Sequence, residues 1–128
     1  LPDGARVHDV APAPDGTIWY TAQRQGALGI LDPKTGKIRQ IPLGPGSAPH
    51  GVIQGPDGAA WITDSGQNAI VRFDPKTEKF QSWAIPSGYG IIRHMRATPD
   101  GNLVIHQSSS NRIGLVTINK AATTTSSR

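Results

Sequence analysis

The four histidines of this 128-residue chain, at positions 8, 50, 94 and 106, are its best-equipped groups for moving protons or gripping a ligand. His8 and His50 are 42 residues apart, and Arg93 and His94 stand one such interval further on. Asp64 follows His50, while the single glutamate, Glu78, falls in a turn-forming segment. Imidazoles exchange protons near neutrality, and carboxylates accept protons or bind hard cations. Gathered at one place, such groups suit a divalent cation or an anionic or carbonyl-bearing small molecule. Other chemistries lack their parts. The chain has no cysteine, so it offers no thiolate nucleophile, no Cys-based zinc site and no disulfide frame. It contains no Gly-x-Ser-x-Gly elbow. Its Gly44-Pro45-Gly46-Ser47-Ala48-Pro49 segment lacks the third glycine and the Lys-Ser/Thr of a nucleotide loop.

A repeat must position these residues. Pro-Asp-Gly recurs at 14–16, 56–58 and 99–101, and Asp-Pro-Lys-Thr recurs at 32–35 and 74–77. Trp19 matches Trp61, and Thr21 matches Thr63. A period near 42 residues indicates an array of supersecondary units. In the second unit, apolar and β-branched runs predict strands at His50–Gly55, Ala59–Asp64, Ala69–Phe73 and Phe80–Ile85, separated by turn sequences. Four antiparallel strands per unit describe a blade of a β-propeller. The predicted fold is therefore all-β, with three blades at about 1–42, 43–85 and 86–120, the last lacking an outer strand. Residues 121–128 read as a flexible polar tail.

In such a blade the first strand runs along the central channel and the second returns. The start of one and the end of the other then share a mouth. That shared mouth brings together His50 with Asp64, His8 with Ala22, and Arg93 or His94 with Gln107. Counting back from Pro99 sets Arg93 level with His50. His106 takes the place of Thr21 and Thr63, and reads as a packed histidine or as a channel residue, depending on register. Asp64 reads equally as the opening of the Ser65–Asn68 turn or as a metal ligand. Trp19 and Trp61 read as core residues between blades. Three blades cannot close a ring, which leaves two expectations: a fragment of a larger propeller, or a homo-oligomer that completes one.

The formal charge is +4 and the sequence pI about 9.9. The 13 basic residues are scattered and several adjoin acids, so no nucleic-acid platform is expected. No apolar run approaches the roughly 20 residues that span a bilayer, so no membrane partner is expected. The first residues do not read as a signal peptide; a signal removed before Leu1 would imply a periplasmic or secreted protein, and otherwise the cytoplasm is expected.

Gly-Pro-Asp-Gly-Ala-Ala-Trp-Ile-Thr-Asp (55–64), followed by Gln67-Asn68-Ala69-Ile70-Val71-Arg72-Phe73-Asp74-Pro75, resembles a blade of the virginiamycin B lyase (streptogramin lyase) family. Ala13–Thr21 and Leu28–Pro33 resemble the same blade, and the likeness extends over residues 1–118. The resemblance implies a seven-bladed propeller, of which this chain supplies three blades. It also implies a carbon–oxygen lyase that opens an ester by elimination, using His and Glu residues with Mg²⁺. The family's carboxylate position falls at Ala22, Asp64 and Gln107, so a single carboxylate is kept. On this basis His50 and Asp64 are the candidate catalytic residues. His8, Arg93, His94 and His106 are candidate ligand-binding residues, and Asp64 is the candidate metal ligand. Two alternatives accompany this reading: a non-catalytic binding or scaffold propeller, and a gluconolactonase-like metal-dependent hydrolase.

Overall fold

The computed structural model describes residues 1, 4, 6–86, 92–108 and 110–118, with Arg93 described by its backbone alone. Eleven strands make three antiparallel sheets among these residues. The first sheet holds β1 (Val7–Pro12), β2 (Ile18–Ala22), β3 (Ala27–Leu31) and β4 (Ile38–Pro42), in sequence order. The second repeats it with β5 (Pro49–Gln54), β6 (Ala60–Asp64), β7 (Ala69–Phe73) and β8 (Phe80–Ala84). The third holds β9 (Ile92–Ala97), β10 (Leu103–Gln107) and β11 (Arg112–Val116). Strand β1 lies against β5, and β5 against β9, so the first strand of each sheet is the innermost. The anticipated 121–128 tail lies outside the described residues.

Turn chemistry sets these boundaries. In the three Pro-Asp-Gly turns, Gly16, Gly58 and Gly101 take φ of 89°, 81° and 91°, a region that costs an L side chain energy. The turn joining the second and third strands also needs one left-handed residue. Gly26 serves in the first sheet, and Asn68 and Asn111, at φ 51° and 55°, serve in the others. Aspartates tie the corners: Asp15 accepts from the Thr17 N–H at 2.9 Å, and Asp74 from the Lys76 N–H at 2.8 Å.

The sheets stack through two apolar layers. Trp19 and Leu28, from the first sheet, meet Val52, Ile62, Val71 and Phe73 from the second. Trp61 and Ile70, on the second sheet's other face, meet Ile92, Met95, Leu103 and Ile105 from the third. Trp19 and Trp61 are therefore the inter-blade core residues that the repeat predicts. Burying a large apolar side chain stabilises by roughly 1.5–3 kcal/mol, so these layers hold the array together. On the first sheet's other face, Tyr20 lies over Gly29, its cross-strand partner. A Cβ on Gly29 would meet the ring at 2.0 Å, so glycine makes room for the aromatic ring.

Candidate functional site

A β-bulge displaces the residues that sequence spacing places opposite one another. Val7 pairs with Ala22 and Val10 with Tyr20, so His8 and Asp9 together face Thr21. Pro49 pairs with Asp64 and Val52 with Ile62, so His50 and Gly51 together face Thr63. In the third sheet His94 pairs with His106 and Ile92 with Gln107, which makes Arg93 the extra residue. The direct partners of Asp64, Ala22 and Gln107 are thus Pro49, Val7 and Ile92, rather than His50, His8 and Arg93 or His94. The histidines sit one residue further on, where the bulge bends the strand and re-aims its side chains.

The bulges bring His8 and His50 together across the junction of the first two sheets. Their ring centroids are 4.4 Å apart, with planes tilted by 45°. His8 is exposed and His50 half-buried. A network at the same bulges fixes this junction. Thr21 Oγ1 donates to the His50 carbonyl at 2.8 Å and accepts from the Asp9 N–H at 3.1 Å. Asp9 Oδ2 accepts from the Val52 N–H at 3.1 Å. Thr63 repeats half of the pattern by accepting from the Gly51 N–H at 2.8 Å. Asp9 was not singled out by the repeat, because Gly51 and His94 occupy its equivalent positions.

Asp64 is fully buried, at 1% exposure, and its carboxylate is engaged. Ser47 Oγ donates to Oδ2 at 2.6 Å; the Ala48 and Gln67 N–H groups donate to Oδ1 at 2.9 and 3.1 Å. These bonds bind the 44–48 loop to the Ser65–Asn68 turn, which is the turn-forming role anticipated for this residue. Mg²⁺ prefers an oxygen-rich shell containing carboxylates that remain available to it. A single carboxylate already holding three donors does not fit that demand. No group of three or more His, Asp or Glu suited to a metal ion occurs among the described residues. No chemical step is therefore derived through Mg²⁺.

The other candidates lie in the third sheet. Arg93 is the bulge residue of β9, and its side chain is outside the described residues. His106 is exposed, not packed. It shares a shallow pocket with His94, Arg96, Val104 and Ile113. At the opposite end of the hairpins, Asp57 accepts from Trp61 Nε1 at 2.9 Å and from Arg72 Nε at 2.9 Å. Burial alone would raise its pKa; hydrogen bonds from Trp61, Arg72 and the Ala59 N–H outweigh that and hold the carboxyl below the ordinary aspartate range.

This repeat has known counterparts. A model of the virginiamycin B lyase family matches residues 1–126. The chain belongs to that family. Among solved structures, it superposes on a catalytically inactive virginiamycin B lyase from Staphylococcus aureus with quinupristin, at a TM-score of 0.85 and 28% identity. The match covers 91% of this chain and 40% of that one. A streptogramin B lyase structure gives 0.84 and 27%, covering 91% and 39%. A WD40 β-propeller domain, at 0.73 and 19% identity over 90% of this chain and 38% of its own, shares the fold. This family member thus spans about two-fifths of the length of the lyases it matches. No curated protein matches the chain. The three sheets are propeller blades.

Proposed function

We propose that the channel mouth bordered by His8 and His50 binds a carbonyl-bearing small molecule of the streptogramin ester kind. The observation that carries this reading is the contact of two imidazoles, 4.4 Å apart, supplied by adjacent blades and held by the Thr21–Asp9 network. One imidazole can accept a proton while its neighbour donates a hydrogen bond to a carbonyl oxygen. In the corresponding elimination, a base takes the proton from the carbon beside a carbonyl. The C–O bond on the adjacent carbon then breaks, its electrons leave with the ester oxygen as a carboxylate, and a C=C bond forms. His50, half-buried and fixed through its backbone, is the candidate base, and exposed His8 the candidate donor.

A second reading, binding without turnover, is favoured by the engagement of Asp64 with three protein donors. Quinupristin, titrated into the full chain by calorimetry and followed by mass spectrometry, separates the two. Binding that weakens about tenfold or more in His8→Ala and His50→Ala supports the mouth as the site. Ring opening lost in His50→Ala adds the lyase step, and binding with an intact ring supports the second reading. Undetectable binding at millimolar ligand, or affinity indifferent to both variants, overturns the assignment of the mouth. Hydrolysis of a simple lactone would instead favour a gluconolactonase-like enzyme.

A further inference from the structure

A cation shares the face on which the two imidazoles meet. The Gln23 N–H donates to the Arg6 carbonyl at 3.3 Å, which carries the pairing of β1 and β2 one step beyond Val7 and Ala22. Alternation along paired strands then puts Arg6 and Gln23 on the same face as Thr21. Thr21 faces the second blade, where its hydroxyl donates to the His50 carbonyl. His8 lies two residues from Arg6, about 7 Å along an extended chain. Its ring meets that of His50 from the same side. Arg6 therefore stands at the junction of two blades, at the rim of the mouth, and not on the opposite face with Val10 and Tyr20.

The carboxylates at this end are already engaged. Asp9 accepts from the Val10 N–H at 3.0 Å and from the Val52 N–H at 3.1 Å. Asp64 accepts from Ser47, Ala48 and Gln67. Arg6 is exposed and joins no ion pair among the described residues, where the pairs formed are Arg39 with Glu78 and Arg72 with Asp57. The adjoining 23–26 turn adds Arg24 and no acid. The rim thus carries positive charge whose neighbouring acids are bound elsewhere, and it is complementary to an anion.

We propose that Arg6 is a specificity-determining residue of the mouth, selecting a carboxylate-bearing ligand over its neutral counterpart. The inference rests on the His8–His50 reading and narrows its ligand from a carbonyl compound to an anionic one. A guanidinium keeps its charge at every physiological pH and can meet a carboxylate through two parallel N–H···O bonds. The elimination written above turns a neutral ester into a carboxylate, so a cation at the mouth favours the opened form over the closed one.

The test uses two probes that differ in charge alone: quinupristin opened by alkali, in which the ester has become a carboxylate, and the methyl ester of that acid. Each is titrated into the full chain by calorimetry. The acid is expected to bind at least about threefold more tightly at low ionic strength, the scale of one solvent-exposed ion pair. That advantage disappears in Arg6→Gln and in about 1 M salt, where the screening length is about 3 Å. Lys34→Gln, between β3 and β4 at the far end of the blade, leaves it unchanged. Circular dichroism verifies that each variant keeps the β fold. Equal affinity for the two probes, with binding that still depends on His8 and His50, overturns this inference and leaves the mouth as the site. A preference that persists in Arg6→Gln overturns it as well. Binding of neither probe at millimolar ligand also overturns it, and intact quinupristin, titrated in the same series, shows whether the mouth falls with it.

Discussion

Asp57 shows how one side chain can couple a turn to a strand and to solution pH. Its two oxygens serve the Pro-Asp-Gly turn, the Trp61 indole and the Arg72 guanidinium, all within the second blade. Its carboxyl titrates lower in the fold than in the unfolded chain, so the unfolded state binds the proton first as pH falls. The stabilisation is complete above the unfolded aspartate pKa, about 3.9, and is lost as pH drops through the lower folded value. Urea unfolding should therefore show wild type more stable than Asp57→Asn at pH 7. The difference should shrink below about pH 4; a constant difference from pH 7 to pH 3 would contradict the coupling. Glu78 illustrates a different compromise. It takes φ 58° where the first blade has Gly36, and it holds Arg39 of the neighbouring blade by a two-pronged ion pair at 2.7 and 3.0 Å.

Strands and turns were readable because each turn carries its own chemistry. The prediction for Ala69–Phe73 coincides with β7, and those for the other strands of the second blade fall within one residue of the structure. Proline, aspartate and left-handed glycine or asparagine mark the ends of these strands independently of anything distant. The bulges left no such mark. Two residues facing one have no compositional signature, and the bulge positions hold His-Asp, His-Gly and Arg-His in turn. Spacing therefore set His50 at the same end of its blade as Asp64 without revealing that Pro49 is the residue directly opposite Asp64. It also missed Asp9, whose contribution appears only when the second blade is in place. The consequence is testable at the junction. Thr21→Val keeps the shape but leaves the His50 carbonyl and the Asp9 N–H without their hydroxyl partner. We expect a loss of roughly 1–3 kcal/mol in chemical denaturation. The His50 resonances should shift in the same variant, whereas Thr17→Val, in an exposed turn, should disturb neither.

Across the whole molecule, burial changes from the middle to the ends. Val52 is 1% exposed, whereas its first-blade equivalent Val10 is 59% exposed; Ile70 is 4% exposed, whereas its third-blade equivalent Ile113 is 79% exposed. Among the described residues the second blade is sandwiched, and the first and third each pack against one other blade. For these three blades taken by themselves, stability is a sum of unit and junction contributions, so a blade with one junction opens before the blade with two. Hydrogen exchange should accordingly protect the amides of β6 and β7 more strongly than those of β10 and β11. Equal protection in both pairs would show that the three blades unfold as one.

The exposed row on β11 has a practical consequence for handling the protein. Ile113 and Leu115 project from a strand whose neighbour, among the described residues, is β10 alone. An apolar strand of this kind is a template for sheet growth between molecules, and a lysine on it opposes that growth by charge and hydration. Leu115→Lys should raise the concentration at which light scattering first increases and leave the melting temperature nearly unchanged. An unaltered scattering threshold would place the source of self-association elsewhere on the surface.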